Sequence, residues 1–397
     1  MVSISELHIM LFTGRHPVLS FFIEQFVVYL DSCGIDYYLV NADDPSTYNG
    51  PAFEKYIMQD NVVAFMFNNI GVGMLSSDGT NLWKKMDIPV FNWLVDHPRN
   101  FEDPLRDPQC DIYVFAPDRD HVSFMERHYP KLKGYFFAPN GGGNLGTPIP
   151  YKERTIDVLY MGDCQEKNNY FPNVSFLPEN GEDYYNYAIS LLVKNPEIST
   201  DEAIEQYLIN AGISLNDDQI FKLASETAAY IERFVRRLTK MEGMKALSDA
   251  GINVEVYGLQ WICDDYPFSE NIRIHDRIDV HELLKKTCNA KICLCFIPWF
   301  KKGCSEKNFD AMINGSICIT DRSSYLNQNY VDGYNIVYFD LNNPLQMAED
   351  VKWLLANPDS AEIIAKRGYE TASKYDSWNN RFDLIVEKMC MILNTKG

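Results

Sequence analysis

The chain has 397 residues, of which 46% are hydrophobic and 23% are charged, and its formal net charge is −19. This length and composition predict a globular protein with room for two domains. The negative charge argues against nucleic acid and anionic membrane surfaces as partners, since both would be repelled.

The ten cysteines are scattered along the chain. Their spacing includes no Cys-x2-Cys pair and no Cys/His quartet, which argues against a zinc site and a disulfide scaffold. The first residues lack a basic segment followed by a long apolar one, and no apolar run approaches the ~20 residues of a membrane span. We therefore expect a cytoplasmic protein without a membrane span.

Six apolar segments within the first 138 residues alternate with helical or loop segments. Alternation of this kind predicts a parallel, doubly wound sheet whose ligand-facing edge lies at the carboxyl ends of the strands. Gly14, Arg15 and His16 follow the first segment, and Asp96 and His97 follow the fourth. His97 is a candidate to hydrogen-bond a phosphate or a hydroxyl group, because imidazole can donate or accept near neutral pH; a structural histidine is the alternative.

Residues 140–150, NGGGNLGTPIP, are rich in Gly and Pro and predict a linker. A second domain is expected over 151–374, again with alternating strands and helices. Within it, residues 181–250 have helical patterns over more length than one crossover helix needs. We expect a helical insertion there, whose purpose the sequence does not reveal.

Residues 290–320 contain an apolar strand, a loop with Gly303, a short amphipathic helix and a second apolar strand. Ser305 is a candidate N-cap for the helix. The N-terminus of a helix offers free N–H groups and a positive dipole end, which suit an anion such as a diphosphate. The backbone N–H groups of Gly303, Cys304 and Ser305 are candidates for this contact, and an ordinary helix cap is the alternative.

The segment FDAMINGSICITD at 309–321 resembles the FEAMACG-type signature of group 1 glycosyltransferases, most closely that of the CgeB-like branch. The resemblance implies the GT-B fold, with two Rossmann-like domains that face a cleft. YDSWNNRF at 375–382 resembles the family's ending, which implies a terminal helix over 375–397 that crosses back to the N-terminal domain, residues 1–150.

The resemblance implies a nucleoside diphosphate sugar as donor, with a UDP-sugar favoured, and no cofactor. It places Asp310 at the position that binds the ribose hydroxyls; the alternative is a surface carboxylate paired with Lys307. Many members carry another acid eight residues earlier, where this chain has Lys302. Lys302 and Lys307 are candidates to offset the charge of the leaving diphosphate, with solvated lysines as the alternative.

In the same family, the nucleotide base binds beside loops at the ends of strands. The matching positions here are Tyr257, Gly258, His275 and Ile278. The alternative is that they contribute to core packing. The N-terminal domain is expected to supply the acceptor side, with Gly14, Arg15, His16 and Asp96. Asp118 and Asp120 have the Asp-x-Asp spacing that holds manganese in metal-dependent glycosyltransferases, whose fold differs from GT-B. They follow a strand and open a helix, so we interpret them as helix-start residues.

The sequence thus predicts a metal-independent glycosyltransferase that retains anomeric configuration and acts on an unknown acceptor, which is a glycan, a protein or a small molecule. Two alternatives stay open. One is a nucleotide-sugar 2-epimerase of the same fold, and the other is a non-catalytic protein that binds nucleotide sugars.

Overall fold

The computed structural model describes residues 2–145, 148–165, 171–174, 177, 181–261, 267–297 and 300–396. The chain divides into two compact units. Unit 1 comprises Met1–Gly141 and Ser377–Gly397, and unit 2 comprises Gly142–Asp376. Within the expected linker, Gly146 and Thr147 lie outside the described residues.

Unit 1 is built on a six-stranded parallel sheet, as the alternating apolar segments predict. Its strands are β1 (His8–Thr13), β2 (Asp36–Asn41), β3 (Val62–Phe67), β4 (Val90–Trp93), β5 (Ile112–Ala116) and β6 (Gly134–Phe137). Their order across the sheet is β2-β1-β3-β4-β5-β6. β3 is buried at every position, as expected for a central strand covered on both faces.

The helices between these strands are α1 (Pro17–Cys33), α2 (Pro51–Ile57), α3 (Leu82–Met86), α4 (Glu102–Leu105) and α5 (Arg119–His128). Asp118 is the N-cap of α5, and its side chain accepts a hydrogen bond of 2.7 Å from the Asp120 N–H. The interpretation of Asp118 and Asp120 as helix-start residues is therefore confirmed.

Unit 2 contains a second six-stranded parallel sheet. Its strands are β7 (Ile156–Met161), β8 (Val254–Tyr257), β9 (Ile272–His275), β10 (Ala290–Cys295), β11 (Ile317–Thr320) and β12 (Val337–Tyr338). They lie in the order β12-β11-β10-β7-β8-β9, so the chain runs in opposite directions across the sheet on the two sides of β7 and β10. Ligands of open parallel sheets bind at the carboxyl edge near such a point.

The helices of unit 2 include the predicted insertion, which consists of α6 (Glu182–Lys194), α7 (Thr200–Asn210) and the 33-residue α8 (Asp217–Asp249). The remaining helices are α9 (Val280–Cys288), α10 (Glu306–Ile313), α11 (Leu326–Asn329), α12 (Pro344–Ala356) and α13 (Pro358–Tyr375).

Helix α8 belongs to two apolar clusters. Ala228 and Ile231 in its first part pack with α6 and α7, whereas Met244 and Leu247 near its end pack in the core of the sheet. Gly243 permits the close approach of α8 to the end of β10, because a Cβ at this position would lie 2.5 Å from the Phe296 ring. One helix therefore joins the insertion to the carboxyl edge of the sheet.

The last helix, α14 (Trp378–Lys396), packs within unit 1. The Phe382 ring stacks on that of Phe26 at 4.3 Å, and the Tyr29 hydroxyl donates a 2.6 Å hydrogen bond to Asp383. Among the described residues, no helix is both long and apolar enough to cross a bilayer.

Candidate functional site

Two glycines begin the loops at the carboxyl edge of the unit 2 sheet. Gly162 follows β7 and Gly258 follows β8, and the Gly162 N–H donates to the Tyr257 carbonyl at 2.9 Å. A Cβ on Gly258 would lie only 2.3 Å from the Gly162 carbonyl oxygen, so the two turns touch backbone to backbone. Gly162 has a φ of +143°, a conformation that other residues rarely adopt. Neither glycine adds a side chain to this turn, so neighbouring groups can approach its backbone closely.

Asp163 fixes the loops that follow β7, β8 and β9 to one another. Its carboxylate accepts from the Leu259 N–H at 2.9 Å and from the Arg277 Nε at 3.1 Å. Burial raises the pKa of Asp163, but the Arg277 guanidinium and the Leu259 N–H outweigh this, and the pKa lies below its ordinary value. The carboxylate thus stays charged and holds the three loops in one arrangement.

Two ammonium groups lie beside the Gly162 turn. Lys240 of α8 is 5% exposed, and its Nζ donates to the Asp163 carbonyl oxygen at 2.7 Å. Lys307 of α10 reaches the same turn, since a Cβ on Gly162 would lie 3.2 Å from its Nζ. Burial, together with repulsion from Lys307, lowers the pKa of Lys240 to about 7. This arrangement favours a bound anion, which would relieve the repulsion.

Helix α10 begins at Glu306, and the buried Ser305 before it is the N-cap, as predicted. Its hydroxyl accepts from the Lys307 N–H, and its own N–H donates to the Asn308 side chain at 3.2 Å. The Ser305 N–H is therefore already engaged within the cap. Gly303 and Cys304, which precede it, are buried as well.

Asp310 lies partly exposed on α10 and is held from one side. Its Oδ1 accepts a 2.7 Å hydrogen bond from the N–H of Gly143, a residue of the predicted linker. Asn314 donates to the Gly143 carbonyl at 2.9 Å and so fixes the same segment. Burial and the neighbouring Glu306 raise the pKa of Asp310 well above its ordinary value, while Gly143 and Lys307 oppose the shift. Among the described residues, Oδ1 is the oxygen of Asp310 with a hydrogen-bond partner, so Oδ2 is the one that can bind a ligand.

Lys302 points toward the helical insertion. Its Nζ lies 3.9 Å from the Glu202 carboxylate of α7, and both side chains are a little under half exposed. Such a pair contributes little to stability.

The rings of Tyr257 and His275 stack on one another at the carboxyl ends of β8 and β9. Their centroids are 4.6 Å apart, and the His275 Nε2 lies 2.5 Å from Glu255. Both side chains are partly exposed, and so is Ile278 in the loop that follows β9. The structure therefore brings Tyr257, Gly258 and His275 together beside the Gly162 turn.

The candidate residues of unit 1 follow β1 and β4. Gly14 and Arg15 both have positive φ, and the Arg15 N–H donates to Asp43 at 2.8 Å. His16 is the N-cap residue of α1, with an exposed side chain. The exposed Asp96 accepts from the Asn68 amide at 3.4 Å.

His97 has a structural task in the loop after β4. Its Nδ1 accepts from the N–H and the Nε of Arg99, at 3.2 and 2.9 Å. The ring packs against His121 at 4.5 Å and Phe124 at 4.8 Å. Because Nδ1 is an acceptor, a neutral His97 carries its proton on Nε2, which is then the atom able to donate.

The sequence did not single out Lys240, Asp163 or Arg277 as site residues. Asp163 and Arg277 are 114 positions apart, and Lys240 is 77 positions from Asp163. A signal for Lys240 did exist, because Lys240, Gly243 and Leu247 share one face of α8 and the other two are packing positions.

Part of the chain matches a known family. Residues 232–387 match a family model described as "Glycosyl transferase-like", and this segment includes Lys240, Lys307 and Asp310. No curated protein sequence matches the chain.

Solved structures that are similar over nearly the whole chain include the following three. An alpha-glucosyltransferase in complex with UDP and a 13-mer DNA containing a HMU base has a TM-score of 0.53 and 12% identity, covering 96% of this chain and 99% of its own. Sucrose-phosphate synthase from Thermosynechococcus elongatus has a TM-score of 0.52 and 12% identity, covering 98% and 100%. T4 phage BGT in complex with UDP and Mn2+ has a TM-score of 0.51 and 11% identity, covering 96% and 99%. The fold is GT-B. At these identities the likeness concerns the fold alone.

We expect Lys240→Met to stabilise the unliganded protein. The folded pKa of about 7 lies below the ordinary value of 10.5, so the cost of charging Lys240 is complete below pH 7 and fades as the pH rises toward 10.5. The gain in free energy of unfolding at pH 7 should be roughly 1–3 kcal/mol, because the lost hydrogen bond to Asp163 offsets part of it. Urea unfolding at pH 7 and near pH 10 measures both values.

Lys245→Met, at an exposed position of the same helix, is the matched control. An equal gain in this control, or a gain for Lys240→Met that does not shrink with rising pH, would contradict a strained ammonium group at the Gly162 turn.

Proposed function

We propose that the protein is a glycosyltransferase that moves a sugar from a nucleoside diphosphate donor to an acceptor hydroxyl. The observation that carries the proposal is the pair of ammonium groups, Lys240 and Lys307, at the Gly162 turn. The diphosphate of a nucleotide sugar supplies negative charge opposite these two ammonium groups. The family match over 232–387 supports the same reading.

In this proposal the carboxyl edge of the unit 2 sheet holds the donor. Lys240, Lys307 and the first turn of α10 bind the diphosphate and stabilise the charge that develops when its bond to the anomeric carbon breaks. Asp310 binds the ribose through Oδ2. The loops of Tyr257, Gly258, His275 and Ile278 hold the base, for which uracil is our choice.

Lys302 has two possible partners in the proposal. Its present neighbour, Glu202, forms a half-exposed pair that costs little to break. A donor with a carboxylate on its sugar would compete for the ammonium group. We therefore assign Lys302 to the sugar end of the donor rather than to the diphosphate, which already has Lys240 and Lys307.

The acceptor side is proposed for the loops that follow β1 and β4 of unit 1, with Gly14, Arg15, His16, Asp96 and His97. The proton on Nε2 makes His97 a donor to an acceptor or phosphate oxygen. We further propose a CgeB-like, cytoplasmic enzyme that retains anomeric configuration and needs no metal ion, since lysines and the helix terminus supply the positive charge. The acceptor is left undefined.

The purified protein should release UDP from UDP-glucose or another UDP-sugar, and the release should persist in EDTA. Chromatography of the sugar products separates transfer or hydrolysis from 2-epimerisation, in which the sugar stays on the nucleotide. Loss of turnover in EDTA with recovery on adding manganese would contradict metal independence. Nucleotide-sugar binding without any turnover of the donors tested would favour a non-catalytic protein.

The ribose role of Asp310 can be tested with Asp310→Asn and a 2′-deoxy donor. An amide at this position keeps an oxygen for the Gly143 N–H, but it presents an NH2 group in place of Oδ2, the oxygen that accepts from a ribose hydroxyl. We expect donor binding to weaken by about 1.5–3 kcal/mol in calorimetric titration. The parent protein should discriminate against the 2′-deoxy donor, and the variant should hardly do so; equal affinity of the parent for both donors would remove the role.

A further inference from the structure

A cavity of about 400 Å³ lies apart from the Gly162 turn, at the carboxyl ends of β11 and β12. Asp321 follows β11 and Tyr338 ends β12, and both contribute to its lining. Pro196 and Glu197, which follow α6 of the helical insertion, close the other side. The segment that follows α6 therefore lies beside this edge of the sheet.

Two residues that line this cavity carry a buried polar atom without a hydrogen-bond partner among the described residues. Asp321 is 3% exposed; its Oδ1 accepts from the Ile297 N–H at 2.7 Å, whereas its Oδ2 has no partner among the described residues. The Tyr338 hydroxyl, on a residue 6% exposed, has no partner there either. A buried polar atom left unsatisfied is costly, and such atoms are rare in native proteins.

The residues around Asp321 and Tyr338 limit the chemical class of ligand that the cavity can bind. Phe339, Leu341 and Pro196 add apolar walls, while Glu197 and Asp340 are exposed at the rim. The carboxylates disfavour an anion. A cation is already near Asp321, because Lys301 acts to lower the pKa of this carboxyl group, which burial raises to about 6. A neutral ligand with hydroxyl groups at its edge and C–H groups on its faces satisfies all of these constraints.

We propose that this cavity is a carbohydrate-binding site for a pyranose ring, separate from the donor site. One ring hydroxyl donates to Asp321 Oδ2, and a second exchanges a hydrogen bond with the Tyr338 hydroxyl. Arg322 holds Tyr338 in place, since its guanidinium lies 4.2 Å from the ring centroid and pairs with Asp332 at 2.9 Å. The apolar walls pack against the C–H faces of the sugar.

The site can be tested with the methyl glycosides of glucose, galactose, mannose and N-acetylglucosamine, by saturation-transfer difference NMR. At least one should bind the parent protein. Because Oδ1 of residue 321 faces the Ile297 N–H, Asp321→Asn presents an amide nitrogen to the cavity and should weaken binding about tenfold. Tyr338→Phe should weaken it about threefold or more. Asp340→Asn, at the exposed rim, is the matched control and should bind as the parent does.

Two further readouts separate loss of the site from loss of the fold. Asp321→Asn should raise the Tm more above than below the pKa of about 6, because only the ionised carboxylate is costly to bury. UDP binding should be the same in all of these variants. Because UDP binding and glycoside binding are measured separately, failure of the proposed glycosyltransferase function can be distinguished from failure of the proposed sugar site. Absence of binding by all four glycosides, or binding that survives both Asp321→Asn and Tyr338→Phe, would overturn the proposal.

Discussion

The burial of the Lys240 ammonium group at the Gly162 turn, with Lys307 beside the same turn, is the constraint on which the proposed donor site depends. Lys240 comes from the insertion helix α8, and Lys307 comes from α10 at the other side of the Gly162 turn. Folding brings them together at a cost, since Lys240 is buried and its pKa falls to about 7. Apolar packing of α8 in the sheet core, and the burial of Phe309 and Met312 on α10, supply the stability that holds the two charges in place.

This arrangement gives the helical insertion a structural role at the carboxyl edge of the sheet. Its long helix packs with α6 and α7 at one end and enters the sheet core at the other, and Lys240 lies between the two clusters. Arg237, on the same helix, donates to the Gln165 carbonyl at 2.7 Å. The insertion therefore holds the loop after β7 and contributes a charge to it. Farther along the sheet, its segment at Pro196 and Glu197 closes the cavity of Asp321 and Tyr338.

Most of the architecture could be predicted from local patterns. Apolar runs bounded by Gly and polar residues predicted the strands, and the stretch from β10 to β11 predicted a helix capped by Ser305, which the structure confirms. The roles assigned to Asp310 and Lys307 depend on the family signature and stay predictions. The Asp163–Arg277 pair could not be identified, because its role arises from a contact between residues far apart in sequence. Lys240 lies on a packing face of α8, but the turn that it contacts is also distant in sequence. In the sequence alone, Lys240 is one of several basic residues on a helix.

Amide hydrogen exchange with and without saturating UDP-glucose tests the central claim most directly. The account predicts new protection at the turn of Gly162 and Asp163, at Tyr257 and Gly258, and in the first turn of α10, because the donor covers these backbone groups. The protection should disappear in the double variant Lys240→Met and Lys307→Met. Protection confined to other segments, or unchanged in the double variant, would contradict a donor site built on these two lysines.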